Sequence, residues 1–106
     1  MLNAKIRDIY ITGKDLNYEG SITLDPEYCH RAGIAENEAV DVLNLSNGAR
    51  FTTYVIYGTP GKKEVLLNGP ASRLGEYGDE VIVLSYIQVT EEDVADHRIT
   101  MVRGEK

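Results

Sequence analysis

Asn47-Gly48 stands between two runs rich in β-forming residues, AVDVLNL at 39–45 and ARFTTYVIY at 49–57. Asn-Gly tolerates positive φ at both central positions of a two-residue type I′ turn, whose twist matches that of paired strands. The stretch therefore predicts a β-hairpin. In a chain of 106 residues an isolated hairpin is only marginally stable, so further strands must complete one small core.

The rest of the chain supplies them. Over residues 4–12, Ile9 and Ile11 alternate while Ile6 is out of phase, which predicts a bulge or sharp twist. Residues 21–25 read as a short strand. Asp25-Pro26 reads as N-cap and first helical residue, with Gly33 as the stop of a two-turn helix. TPGKK turns into the strand EVLLN, and GPASRLG is a loop or a single helical turn. Gly78-Asp79 leads into EVIVLSYIQV, the most apolar strand and the expected sheet centre. Thr90 and Asp93 resemble a capping box for a helix over 91–97, whose acidic start suits a helix N-terminus. Six or seven strands with short helices predict a small closed β-barrel, because closure removes exposed edges.

Composition narrows the function. The net charge of −6 argues against nonspecific nucleic-acid binding, so an anionic ligand would need locally concentrated cations. No apolar stretch approaches membrane-spanning length and no signal-peptide pattern opens the chain, which gives a cytoplasmic expectation. Cys29 is the only cysteine, and His30 and His97 lack metal-ligand spacing, so no disulfide or metal site is expected. Cys29 and His30 fall on the short helix and read as structural.

Four places can carry chemistry. In NYEGSITLD, Gly20-Ser21 joins a polar run to an alternating one. A turn-to-strand junction explains both residues. A second reading is self-processing: the Ser21 hydroxyl attacks the Gly20 carbonyl of a peptide held in strained geometry, which a glycine without Cβ permits. The resulting ester eliminates to dehydroalanine, and hydrolysis leaves a pyruvoyl group with release of ammonia. Such a ketone forms an imine with an amine and accepts electrons, as amino-acid decarboxylation requires. In NGARFTTYVI, Arg50 and Tyr54 share one face of a strand. Arg50 suits a carboxylate and Tyr54 suits proton return to carbon, although a surface Arg and an ordinary β-former fit the same pattern. Thr53 falls on the opposite face of an ideal strand. Asn68-Gly69-Pro70 is a turn signal whose backbone N–H groups can also hold an anion. Lys5 reads as a solvated lysine or as a second cation near Arg50. Tyr18 reads as packing or as a shaper of the Gly20-Ser21 loop.

Taken in order, KIRD, LNYEGSITLD, AGIAENEAVDVLNLSNGARFTTYVI, LLNGPASR and GDEVIVLSY resemble the aspartate 1-decarboxylase family from about residue 3 to residue 90. YEGS and NGARFTTY are the most specific parts. The resemblance implies a mainly β fold, a six-stranded double-psi β-barrel, assembled as a homotetramer with active sites between neighbouring subunits. It implies a proenzyme of one domain, 1–106, that cuts itself into a β chain, 1–20, and an α chain, 21–106. Ser21 becomes the covalent pyruvoyl cofactor. Tyr54 matches the family's proton donor, Arg50 and Lys5 its carboxylate-binding cations, and Thr53 a residue of processing and substrate contact. Asn68 matches a site-lining residue, and Gly69, Pro70 and Ala71 a substrate-binding loop. The implied reaction converts L-aspartate to β-alanine and carbon dioxide for pantothenate and coenzyme A synthesis, with or without a maturation helper protein. Arg7, Pro70 and Arg73 depart from the family pattern: many members have His and Ala at the first two positions, and some have His at the third. Pro70 in particular has no N–H to donate. The alternatives are a pyruvoyl decarboxylase of another acidic amino acid, such as glutamate, and a non-catalytic barrel that serves as a binding module.

Overall fold

The structure is a computed structural model that describes residues 1–16 and 18–104. Asn17, part of the polar run before Gly20-Ser21, and residues 105–106 lie outside the described residues. The elements run β1 (Leu2–Tyr10), β2 (Gly13–Asp15), β3 (Ser21–Leu24), α1 (Pro26–Ala32), β4 (Ala39–Asn44), β5 (Arg50–Tyr57) and β6 (Val65–Asn68). A 3₁₀ helix (Gly69–Leu74), β7 (Glu80–Tyr86), a second 3₁₀ helix (Glu91–Asp96) and β8 (Thr100–Arg103) complete them.

The strands pair in the order β2-β6-β3-β5-β4-β7-β1-β8. β7 lies in the interior of that order, as its apolar sequence predicts. One corner joins the two sides. Ile11 N–H bonds to Asp79 O at 2.9 Å, and the next N–H, of Thr12, bonds to Val65 O at 2.8 Å. The chain leaving β1 is thus stitched to the starts of both β7 and β6. The result is a small β-barrel with six principal strands and two short additions, β2 and β8, that the sequence pattern did not reveal. Its interior holds Ile6, Ile22, Leu24, Val42, Val55 and Leu67, all fully buried. Each such side chain contributes about 1.5–3 kcal/mol of burial.

The out-of-phase Ile6 has its expected cause. The β1–β7 register shifts between Ile6 and Ile9, and Asp8 takes φ 59° inside that irregularity. Helix α1 also follows its signals. The Asp25 side chain accepts from Glu27 N at 2.9 Å, and Gly33 closes the helix with φ 72°.

Three local expectations are corrected. The hairpin is not a two-residue type I′ turn: only Gly48, at φ 78°, is left-handed, and residues 45–49 form a longer loop. The buried Asn44 side chain is the reason, since its Oδ1 accepts from Ser46 N at 2.8 Å and Asn47 N at 3.3 Å. The last turn is a 3₁₀ helix, Glu91–Asp96, and Thr90 spends its hydroxyl on the Asp93 carboxylate (3.0 Å) instead of a backbone N–H. β7 ends at Tyr86, short of the full apolar run.

Candidate active site

The site follows from how β5 changes partners. Residues Arg50 to Tyr54 pair with β4, from Leu43↔Arg50 to Ala39↔Tyr54. Parallel pairing with β3 begins only at Val55, opposite Ile22. Beside residues 51–54 the β3 side of the strand therefore has no ladder partner, because the chain there has already turned away into Gly20. A cavity of about 300 Å³ fills the gap, lined by Gly20, Phe51, Thr52, Thr53, Tyr54, Pro70, Ala71 and Leu74. Thr53 and Tyr54 both reach it despite their opposite parity, since the cavity lies along the strand edge and not over one face.

Ser21 lies directly behind Gly20 and is fully buried. Its Oγ donates to Glu19 O at 3.3 Å and accepts from Asn68 Nδ2 at 3.0 Å. The same amide donates to Thr23 Oγ1 at 2.9 Å. Asn68 is placed for this by the β3–β6 ladder, in which Ser21 and Asn68 are direct partners. The hydroxyl proton thus points to a backbone carbonyl, and no side-chain base accepts it among the described residues.

The expected strain sits elsewhere than at Gly20. Gly20 is outside the left-handed region, and a Cβ there would only touch Pro70 Cδ at 3.4 Å. The left-handed residue is Gly69, at φ 60°. A Cβ on Gly69 would strike Tyr18 O and come within 2.9 Å of Gly20 N and 3.0 Å of Glu19 C. Bare backbone at Gly69 is therefore what lets the segment 18–20 lie against the barrel mouth. Tyr18 itself is about half exposed, so it does not pack in the core.

The two cations stand apart from this cavity. On β4, Val40 and Val42 point inward, so Asp41 points outward. Arg50 shares that outer face. Its Nη2 donates to Asp41 Oδ2 at 3.1 Å and to Tyr86 Oη at 2.9 Å. Lys5, between the buried Ala4 and Ile6, also faces outward. It pairs with Leu84, whose other neighbour is Asp41. Lys5 and Asp41 are thus two strand spacings apart, about 10 Å. Arg50 and Tyr54 share a strand, but only Tyr54 lines the cavity.

Sequence reasoning passed over Asp41, Thr52, Tyr86 and Thr23. Thr52 lines the cavity, and its hydroxyl donates to Asp41 Oδ1 at 2.6 Å. That bond, with those from Tyr86 and Arg50, holds the Asp41 carboxyl below the ordinary carboxylate range despite partial burial. Burial, followed by the Asp41 bond and charge, pushes the Tyr86 phenol up. Away from the site, burial and then the charges of Asp25 and Glu38 push the Cys29 thiol up to about 12, consistent with a structural cysteine.

Fold and site together define a small β-barrel with a buried serine at a strand start, set behind a cavity that carries a tyrosine. Comparison makes the class specific. The sequence family described as aspartate decarboxylase matches residues 1–106. The aspartate 1-decarboxylase of Francisella tularensis subsp. novicida (strain U112) is 48% identical over 107 residues, covering 99% of this chain and 96% of the relative. That of Sulfurihydrogenibium sp. (strain YO3AOP1) is 46% identical over 96% of this chain and 76% of the relative. That of Staphylococcus aureus (strain JH9) is 48% identical over 92% of this chain and 76% of the relative. The chain belongs to the aspartate decarboxylase family.

Proposed function

We propose that the chain is a proenzyme that cuts itself between Gly20 and Ser21 and then decarboxylates L-aspartate to β-alanine and carbon dioxide, feeding pantothenate synthesis. One observation carries this reading. Gly20 lines the same cavity as Thr53, Tyr54, Pro70 and Ala71, with Ser21 immediately behind it and held by Asn68.

The site fits a pyruvoyl group. Asn68 donates to Ser21 Oγ, the oxygen that attacks the Gly20 carbonyl and then leaves with the Gly20 carboxylate, and the ketone would form on the Ser21 Cα, next to the cavity that Gly20 lines. Once formed, the ketone supplies an electrophile for the substrate amine and a sink for the electron pair left when carbon dioxide departs. The protein's residues do the rest. Pro70 and Ala71 shape the cavity wall, Pro70 by its ring alone, and Gly69 acts from outside it by seating the 18–20 backbone. Tyr54 gives its hydroxyl proton to the carbon that lost carbon dioxide and regains one from water. Its hydroxyl has no protein partner among the described residues, which leaves it available. Thr53, at the same edge, contacts substrate and assists the cut.

Arg50 and Lys5 bind the carboxylates. Both lie on the outer face and not in this chain's cavity, which supports a homotetramer whose sites form between neighbouring subunits. A cytoplasmic setting suits the reading: among the described residues no helix is long and apolar enough to cross a membrane.

An intact mass spectrum under denaturing conditions tests the proposal. Fragments 1–20 and 21–106 are expected, the larger starting with a pyruvoyl group. Ser21→Ala should abolish both cleavage and activity, and a cleaved, active Ser21→Ala protein would sink the assignment. A wild-type chain that stays whole after warming points to a missing helper protein if an added cell extract cleaves it, and otherwise to a non-catalytic barrel. Product analysis separates aspartate from glutamate as substrate.

A further inference from the structure

The outer face of the barrel holds a polar cluster around Arg50 whose other members the proposed chemistry leaves without a role. Asp41 accepts from Thr52 Oγ1 at 2.6 Å, from Tyr86 Oη at 2.9 Å and from Arg50 Nη2 at 3.1 Å. Tyr86 also accepts from Arg50 Nη2 at 2.9 Å. The members come from three adjacent strands, β4, β5 and β7, so backbone ladders fix their spacing. Among the described residues only Nη2 of the three guanidinium nitrogens of Arg50 is engaged. Among the described residues the other two, Nε and Nη1, have no partner, which leaves their N–H groups to donate to a carboxylate.

An exposed arginine on its own samples many rotamers, and fixing it costs free energy at every binding event. Here that cost is met on folding. Asp41 is anionic and itself well anchored, with only 18% of its side chain exposed, whereas the Arg50 side chain is 57% exposed. The anchor also reaches the cavity, because Thr52 both lines it and donates to Asp41.

We infer that Asp41 and Tyr86 are positioning residues that hold Arg50 ready for the substrate carboxylate, with Thr52 tying that arrangement to the cavity beside Ser21. The inference rests on the reading of Arg50 as a carboxylate ligand. It sets Asp41 apart from a competing internal carboxylate, which would have to be displaced by substrate.

The test is steady-state kinetics with L-aspartate on Asp41→Asn, Tyr86→Phe and Arg50→Lys, each normalised to the processed fraction read by mass spectrometry. Asp41→Asn should raise KM about tenfold with kcat within twofold, and Tyr86→Phe should raise KM about threefold. In the Arg50→Lys background, Asp41→Asn should raise KM no further, because Asp41 acts through Arg50. A lowered KM in Asp41→Asn overturns the inference and makes Asp41 a competitor. An unchanged KM in both Asp41→Asn and Tyr86→Phe, with KM raised in Arg50→Lys, overturns the positioning role alone. An unchanged KM in Arg50→Lys overturns the assignment of Arg50 and the inference with it. Tyr86 is exposed, so its variant keeps the test decisive if Asp41→Asn fails to fold.

Discussion

The chain contains Asn-Gly twice, at 47–48 and at 68–69. Both glycines are left-handed, Gly48 at φ 78° and Gly69 at φ 60°. The likeness ends there. Gly48 has nothing within 4 Å of where a Cβ would sit, whereas Gly69 lies against the backbone of Tyr18, Glu19 and Gly20. Asn47 is exposed and bonds to Ala49 N and Leu74 O, both in loop or helix-end backbone. Asn68 is buried and bonds to the hydroxyls of Ser21 and Thr23. A dipeptide dictates a backbone conformation; what lies across from it decides whether the result is a turn or part of a site.

Alanine at each glycine sharpens that contrast most. Gly48→Ala meets only the conformational cost of a left-handed alanine, about 1 kcal/mol. Gly69→Ala meets that cost and must also displace the 18–20 backbone, so the total should reach about 3 kcal/mol or more. It should also leave the chain uncut, because the segment before Ser21 cannot seat. Denaturant melts and intact masses of the two variants report these effects. Equal stability losses, with Gly69→Ala still cleaved, would make the two dipeptides equivalent and break the comparison.

The asparagines give the next largest difference. Asn68→Ala removes what is, among the described residues, the only side-chain donor to Ser21, and takes one hydrogen bond from each of two hydroxyl oxygens, at a cost of about 1–3 kcal/mol. Slower cleavage by about a hundredfold is expected, followed by the mass ratio of cut to uncut chain over time. Asn47→Ala, at an exposed loop, should cost about 0.5 kcal/mol and leave the cleavage rate unchanged. A cleavage rate that falls equally in both would assign the asparagines a common structural role.

The same pair of dipeptides shows what was legible in the sequence. Strand content, the bulge after Ile6, the ends of α1 and the grouping of Gly20, Thr53, Tyr54, Pro70 and Ala71 all follow from local pattern or family motif. The Asp41 cluster does not. A two-residue turn at 47–48 would place Asp41 opposite Tyr54, but the longer loop, which closes between Asn44 and Ala49, moves the register by two residues so that Asp41 faces Thr52. The cause is the Asn44 side chain folded back on the loop, a choice set by its burial and invisible in the dipeptide. Likewise β8 is held by parallel pairing with β1, from Ala4↔Thr100 to Arg7↔Arg103, a contact across nearly the whole chain that no local period encodes. Arg50 and Lys5 are named by motif, yet their separation from the cavity depends on which strands neighbour one another.

Asp25 extends the comparison to a loop with no Asn-Gly. It does for residues 59–63 what Asn44 does for 45–49, supplying acceptors from behind the turn. Its carboxylate takes Glu27 N at 2.9 Å and Lys63 N at 2.7 Å, and Lys63 holds φ 57°. Burial alone would push the carboxyl up. The backbone N–H groups of Glu27, Lys63 and Gly61, with the Lys63 charge, outweigh it and bring it below the ordinary range. The folded chain therefore binds this proton less readily than the unfolded chain, whose value is about 3.9. Stabilisation from Asp25 is complete above that value and is lost as pH falls through the lowered folded one. Asp25→Asn keeps an N-cap acceptor for Glu27 but turns an amide N–H toward Lys63 N, a donor facing a donor. The expected cost is about 1 kcal/mol at pH 7, and it should shrink in acid, as the unfolded wild-type chain takes up the proton that the folded chain resists. Thermal melts of both proteins at pH 7 and pH 3 measure it. A deficit of equal size at the two pH values would show that the carboxylate charge does not hold this loop, and that a neutral acceptor such as Asn44 would serve equally well in its place.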